Sequence, residues 1–248
     1  CLTTQSWPFA MAELALLRRL RGRIDRTIPI SRRMGEVLVE SGWPVDDTIP
    51  NGVALSNERP GLNGPPKISY AGRLDREKGV AHLIEATAYL SAAIPGLQLV
   101  VAGDGPDRAV LEALAQKLGV DAVFLGQLPR EQMEQALATA WVHATPSVWD
   151  EPFGNVSLEA MMRGTAVVAS DVGGQSDIVS VGETGALVPP GNAKGLAEAL
   201  APYLQDRELA ERHGRAARQR ALSEFSNARV SDRFFEHYQA LVSGEGNA

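Results

Sequence analysis

From Gly64 to Leu204 the chain alternates short apolar runs with longer stretches of helical period. Apolar runs of strand length are Ile68–Ala71, Leu97–Ala102, Val123–Leu125, Val142–Thr145, Ala166–Ser170 and Ala186–Val188. Helical patterns lie between them at Val80–Ala93, Asp107–Leu118, Arg130–Ala140, Val156–Arg163, Gln175–Val181 and Ala193–Leu204. Strands alternating with helices of this length predict crossover units, and so an α/β fold: a parallel sheet with helices on both faces. The strands read as continuous apolar runs, which is the pattern of a sheet buried on both sides.

Outside that region the pattern changes. Asp206–Phe225 and Asn227–Val242 read as two amphipathic helices joined near Ser226. Met11–Leu20 looks helical, Thr27–Ile30 resembles a short strand, Arg32–Ser41 resembles a further helix, and Asn51-Gly52 reads as a turn. Ser56–Pro66 is rich in Pro, Gly and Asn and reads as a linker. The expected organisation is residues 1–55 as the end of another domain, 56–66 as linker, 67–226 as the sheet domain, and 227–248 as a helix crossing back. The chain starts with Cys1 in mid-pattern, so a fragment of a longer protein is expected.

Composition narrows the choices. With 248 residues and 44% hydrophobic content the chain can bury a substantial core. A formal net charge of -6 argues against a general nucleic-acid binder. Cys1 is the single cysteine, so no internal disulfide can form, and no cysteine–histidine cluster suggests zinc. A reducing, cytoplasmic compartment fits. The longest charge-free run, Ala86–Gly103, is broken by Pro95-Gly96, and no membrane-spanning helix or signal peptide is expected. Arg18–Arg33 runs against the acidic balance, with Asp25 its one acid. A solvated helix face is the first reading of that run. Attraction to an anionic membrane surface or acceptor is the second.

Two stretches carry candidate chemistry. Gly72-Arg73-Leu74-Asp75-Arg76-Glu77-Lys78-Gly79 follows the first strand, where ligands collect in an open parallel sheet. Arg73 offers a planar fork and Lys78 a mobile point charge, a pair suited to a diphosphate. The same turn also fits a solvated loop whose cations pair with Asp75 and Glu77. In Glu151–Glu159, Pro152 and Gly154 place Glu151 in a loop, while Asn155 can cap the next helix and put Glu159 one turn in. The free amides of Gly154–Ser157 then favour an anion, and the carboxylates suit sugar and ribose hydroxyls. A capped helix with two exposed glutamates is the alternative.

Gly103-Asp104-Gly105-Pro106 ends a strand and opens a helix but lacks the third glycine of a dinucleotide fingerprint and the lysine of a P-loop. Close backbone approach, beside a base, is its expected use. Gly173-Gly174 could be turn chemistry alone. The histidines have no paired spacing, and His143 on an apolar strand reads as a core residue.

The order of these motifs closely resembles the donor-binding half of the family-4 retaining glycosyltransferases of GT-B fold. The resemblance rests on Asn51-Gly52-Val53, Gly72-Arg73-Leu74 with Lys78-Gly79, Gly103-Asp104-Gly105-Pro106, Phe124-Leu125-Gly126, Pro146-Ser147, Glu151-Pro152-Phe153-Gly154, Glu159-Ala160-Met161, and Gly182-Glu183-Thr184-Gly185 with Val188-Pro189-Pro190-Gly191. It covers about Thr27 to the end and implies a Rossmann-like donor domain with an incomplete amino-terminal domain segment.

The resemblance also implies roles. Arg73 and Lys78 would hold the donor diphosphate, with Gly72 and Gly105 at the binding loops and Glu151 beside the transferred sugar. Backbone amides of Phe153, Gly154, Asn155 and Val156 would surround sugar and phosphates, Glu159 would accept from the ribose, and Gln127 would lie near the base. The donor would be a UDP- or GDP-sugar, the acceptor a glycan or lipid-linked glycan, and no metal or other cofactor is expected. A GT-B epimerase or phosphorylase acting on sugar phosphates, and a binding module without catalysis, are the rival readings. The fragment alone is expected to bind donor and to transfer poorly or not at all. Gly173-Gly174-Gln175-Ser176-Asp177 departs from the family pattern, which usually has a proline and a glutamate there.

Overall fold

The structure, a computed structural model, describes residues 15–16 and 19–243. Its centre is a sheet of six parallel strands: β1 (Lys67–Ala71), β2 (Gln98–Ala102), β3 (Ala122–Gly126), β4 (Val142–Thr145), β5 (Ala166–Ser170) and β6 (Gly185–Val188). The strand order is β3-β2-β1-β4-β5-β6. Successive strands therefore step outward in one direction from β1 and in the other from β4. The reversal lies between these two strands, which pair at Ile68 with Val142 and Ser69 with His143. Loops leaving the carboxyl ends of such a pair diverge to opposite faces and open a crevice.

Helices cover both faces. On one side, α2 (Val80–Ser91), α3 (Arg108–Leu118) and α7 (Ala193–Gln205) enclose Ile68, Tyr70, Leu99, Val101, Val142 and Val168. On the other, α5 (Asn155–Met162) and α8 (Arg207–Glu224) pack on Val167 and Ala169, while α4 (Arg130–Leu137) reaches Ala71 and Ala102 through Leu137. The alternation along each strand divides its apolar residues between the two layers, which explains why the runs are apolar throughout. The expected strands at Val142–Thr145 and Ala166–Ser170 end where the structure ends them. Helix α3 opens at Arg108, two residues past Pro106.

Before the sheet, a short 3-10 helix (Arg21–Arg23) and helix α1 (Arg32–Glu40) flank an extended segment. The strand expected at Thr27–Ile30 does not form. Pro29 has no N–H to donate to a ladder, and the segment is instead held by the amides of Asp46 and Ile49, which donate to the carbonyls of Thr27 and Pro29 at 3.0 Å each. Nor is Asn51-Gly52 a turn. Gly52 has no positive φ, and a Cβ there would come within 3.0 Å of the Asn227 Cα; the glycine admits a neighbouring chain. Val53 beside it bridges to Ser226, between α8 and α9 (Asn227–Ser243). Helix α9 meets the first part of the chain through Asp47, which accepts from Arg233 at 2.8 Å and contacts His237 at 3.0 Å.

Residues 56–66 lie along the sheet domain: the Arg59 amide donates to the Arg163 carbonyl at 2.8 Å, and Leu62 is buried. Most of the helix expected at Met11–Leu20, Arg18 included, lies outside the described residues. The arginine run is not one helix face, because the backbone leaves helical geometry between Ile24 and Ser31. Arg26, Arg32 and Arg33 pair with Asp46, Asp177 and Asp150. Among the described residues, no helix is long and apolar enough to cross a membrane.

Candidate functional site

The crevice at the β1–β4 reversal holds a cavity of about 280 Å³. Its lining includes Tyr70, Gly72 and Lys78 from the β1 side, and Thr145, Ser147 and Glu151–Val156 from the β4 side. Ile30 and Asn51 from the first part of the chain and Gln175 from the segment after β5 complete it. Two sequence-distant loops thus supply one cation and one carboxylate. Lys78 Nζ donates to Glu151 Oε1 at 2.5 Å, and Ser147 Oγ donates to the same oxygen at 2.7 Å. Both partners are largely enclosed, with side-chain exposures of 28% for Lys78 and 12% for Glu151.

Local backbone chemistry explains how Lys78 arrives there. Asp75 caps a 3-10 turn (Arg76–Lys78), its side chain accepting from the Lys78 amide at 3.2 Å. Gly79 then takes φ +67 to launch α2, a left-handed geometry that glycine adopts at little cost. A Cβ on Gly79 would overlap the Pro146 carbonyl, so this residue also lets the Lys78 turn press on the Pro146-Ser147 loop. The amide of Val148 donates to the Glu77 carbonyl at 2.9 Å and closes the junction.

Helix α5 starts at the cavity wall. Asn155 is its first residue and not its cap; Gly154 holds the cap position at φ +125, without a side-chain capping bond. The Asn155 side chain instead accepts from Asn51 Nδ2 at 3.0 Å. The first intrahelical bond runs from the Leu158 amide to the Gly154 carbonyl. Amides at the start of the helix are thereby left for another acceptor, in the positive end of the helix dipole. Phe153 turns its ring into the core against Phe225, with centroids 6.2 Å apart, so only its backbone can serve a ligand.

The remaining expected residues occupy flanking recesses. Arg73 is 70% exposed and donates through Nε to Asp75 at 2.6 Å. It borders a cavity of about 500 Å³ shared with Gly72, Gly105 and Gln127. Glu159 borders a third, of about 350 Å³, with Asn51, Arg130 and Asn155. Gly72 joins the first recess to the central cavity, and Asn51 and Asn155 join the other. Lys78 and Glu151 meet directly; Arg73 and Glu159 stand on either side without touching them. In the Gly103–Gly105 loop the close neighbour is the chain itself, since a Cβ on Gly105 would overlap the Leu74 backbone.

Several cavity residues were not among the expected ones. Tyr70 is buried and donates to the Arg73 carbonyl at 2.8 Å. Burial raises its phenol above the ordinary value, and the charges of Asp75 and Glu151 act in the same direction. Ser147 was visible in the Pro146-Ser147 motif, but its bond to Glu151 was not. Gln175 carried only a departure from pattern, and its burial against Gly154 depends on the tertiary fold. His143 is a core residue: it contacts Ser69 Oγ through Nδ1 at 3.0 Å, and burial pushes its imidazole down to about 3, aided by the charge of Arg163.

Comparison with known proteins identifies the family. The family model described as glycosyl transferases group 1 matches residues 56–220. The chain belongs to this family. Among curated relatives, this group 1 chain is 38% identical over 184 residues to a glycogen synthase of Mycobacterium tuberculosis, spanning 73% of this chain and 44% of that protein. It is 34% identical over 252 residues to an alpha-maltose-1-phosphate synthase of Mycolicibacterium smegmatis, spanning 94% of this chain and 64% of that protein. The group 1 chain therefore spans less than two thirds of either relative's length.

Solved GT-B structures share the fold. Sucrose-phosphate synthase from Thermosynechococcus elongatus superposes with a TM-score of 0.77 at 32% identity, over 88% of this chain and 58% of that one. Anabaena Alr3699/HepE in complex with UDP and glucose superposes with a TM-score of 0.80 at 24% identity, over 92% of this chain and 67% of that one. The second likeness speaks to fold alone.

Proposed function

We propose that this protein is a retaining glycosyltransferase that moves a sugar from a UDP- or GDP-linked donor to a glycan or lipid-linked glycan. The observation that carries the proposal is the Lys78–Glu151 pair, set at the sheet's reversal point beside the start of α5. An ammonium has three donors. Lys78 can keep one on Glu151 and turn the others to a donor phosphate. The unpaired amides of α5 add donors from the opposite wall, and Arg73 can swing from Asp75 to the outer phosphate. Glu151 then faces the sugar, where its free oxygen accepts a hydroxyl; two negative groups are kept apart by the neutral ring.

Bond cleavage leaves negative charge on the departing diphosphate. Lys78, Arg73 and the helix amides would stabilise that charge, which lowers the barrier more than uniform binding would. Front-face attack, with the leaving phosphate taking the acceptor proton, gives retention without a protein nucleophile. Glu159 would hold the ribose and Gln127 would lie near the base, each from its flanking recess. Protein cations and the helix dipole take the part of a metal in this reading. The place of action would be the cytoplasm, with peripheral contact at the inner membrane surface when the acceptor is lipid-linked. HepE, the similarly folded protein solved with UDP and glucose, makes a uridine donor the first to try.

The test is a thermal-shift and calorimetry panel of UDP-, GDP- and ADP-sugars with a chelator present, followed by product analysis with the full chain. One nucleotide class should raise the unfolding midpoint in the chelator, and the glycoside formed should keep the donor's anomeric configuration. No response to any nucleotide sugar would sink the proposal. Binding that appears only with added divalent metal would remove its metal-free part.

A further inference from the structure

Gln175 opens a four-residue helix, α6 (Gln175–Ile178), and is fully buried. Neither its amide nitrogen nor its amide oxygen has a hydrogen-bond partner among the described residues. Burying an unpaired carboxamide is costly, and an apolar side chain of similar volume would fill the space without that cost. Of the described buried side chains left with orphaned polar atoms, Gln175 alone lines the central cavity. The other buried polar groups on that wall are paired. Thr145 Oγ1 and Ser157 Oγ are 2.8 Å apart, Tyr70 donates to the Arg73 carbonyl, and Ser147 donates to Glu151.

The carboxamide lies against Gly154, the cap residue of α5. A Cβ built on Gly154 would come within 2.6 Å of Gln175 Nε2 and 3.1 Å of Oε1. That leaves room for the amide only because residue 154 is glycine. The neighbouring Gly174 amide donates to the Glu151 carbonyl at 2.8 Å, so the segment bearing Gln175 is tied to the loop bearing the site carboxylate.

The chemistry of the orphan selects its partner. A carboxamide offers two N–H donors and one acceptor oxygen. Phosphate oxygens only accept, and would leave Oε1 unpaired. A hydroxyl both donates and accepts, and satisfies the amide. We propose that Gln175 is a specificity-determining residue that binds a hydroxyl of the transferred sugar, together with Glu151 from the adjoining loop. This rests on the glycosyltransferase reading above.

Gln175→Met keeps the volume and removes the paired donor and acceptor. In the full chain, affinities for a nucleotide sugar and for the matching nucleoside diphosphate are measured by calorimetry, alongside the unfolding midpoint. The variant should bind the diphosphate within about twofold of wild type and the nucleotide sugar roughly tenfold or more weakly, since a buried polar partner is lost only with the sugar. Its unfolding midpoint should equal or exceed that of wild type. A companion series on the wild type uses monodeoxy nucleotide sugars, and one deoxy position should reproduce the loss while having little effect in Gln175→Met. Equal losses for both ligands, or none for either, would overturn the inference and make the amide a support for the loop or for a resident water. A wild type that binds no nucleotide sugar would overturn the glycosyltransferase reading as well, which separates the two failures.

Discussion

Lys78 and Glu151 are joined by a 2.5 Å hydrogen bond although each belongs to a different crossover of the sheet. Neither residue could be placed by its own loop. The ammonium reaches the crevice from the turn after β1, and the carboxylate from the loop after β4. The contact exists because the strand order reverses between these two strands, so that their trailing loops face one another.

Removing the ammonium should therefore weaken anion binding more than removing the exposed guanidinium beside it. Lys78→Ala is expected to cost about 1.5–3 kcal/mol in affinity for a nucleoside diphosphate, the range of a shielded charge-assisted bond. Arg73 is 70% exposed and already paired with Asp75, so Arg73→Ala should cost less, about 1 kcal/mol or below. Calorimetric titration of both variants checks the order. If the two losses are equal, or Arg73→Ala is the more damaging, Lys78 is not the principal phosphate ligand.

His143 should make the fold sensitive to mild acid. Burial, with the Arg163 charge as the smaller contributor, depresses its imidazole from 6.5 to about 3. The unfolded chain binds the proton more readily than the folded one, so stability rises with pH across this window. The contribution is complete above the unfolded value of 6.5 and is lost progressively as pH falls toward 3. At pH 5 the cost is about 2 kcal/mol, from roughly 1.4 kcal/mol per unit. Urea unfolding at pH 7.5 and 5.0 should show that loss in wild type and less of it in His143→Gln. Parallel losses in the two proteins would mean that the imidazole is not held neutral.

Much of the architecture was legible because its cause is local. Continuous apolar runs such as Val142–Thr145 and Ala166–Ser170 can be read as doubly covered strands without knowing their neighbours. Thr27–Ile30 misled because its hydrogen bonds come from residues 46–49, a pairing that no period in the segment announces. Asn51-Gly52 has the composition of a turn, yet Gly52 is set by its closeness to Asn227 at the far end of the chain. The candidate site divides in the same way. Residue types and loop positions pointed to Arg73, Lys78, Glu151 and Glu159. Which two of the four would touch depended on side-chain reach within a crevice, and the structure chose Lys78 with Glu151. Gln175 was unreadable as a site residue, because an orphaned amide is defined by everything that surrounds it.

Asp47 should act as the clasp between α9 and the first part of the chain. Arg233 donates to it at 2.8 Å and to the Thr48 carbonyl at 2.9 Å, and His237 lies 3.0 Å away. Burial alone would raise this carboxylate, but hydrogen bonds from His237, the Thr48 amide and Arg233 outweigh it and hold it below the ordinary value. Its stabilising effect is therefore present above about pH 4 and disappears as pH falls through the lowered folded value. Because the partners are partly exposed, Asp47→Asn should cost about 1 kcal/mol or less. Hydrogen exchange should nonetheless quicken selectively over Asn227–Ser243, and uniform exchange along the chain would refute the clasp.

Gly79 offers a test of the site's construction against an internal control. Gly79 and Gly119 share the same φ of +67. A Cβ on Gly119 meets nothing within 4 Å, whereas one on Gly79 overlaps the Pro146 carbonyl. Gly119→Ala should therefore report left-handed strain alone, about 1–2 kcal/mol. Gly79→Ala should carry that strain and a further penalty of about 1–3 kcal/mol for overpacking. It should also displace the Lys78 turn from the Ser147 loop, so nucleoside diphosphate affinity falls in Gly79→Ala and is unchanged in Gly119→Ala. Denaturant midpoints and titrations on the two variants decide it. Equal destabilisation, or an intact affinity in Gly79→Ala, would show that the junction between the β1 and β4 loops yields without disturbing the site.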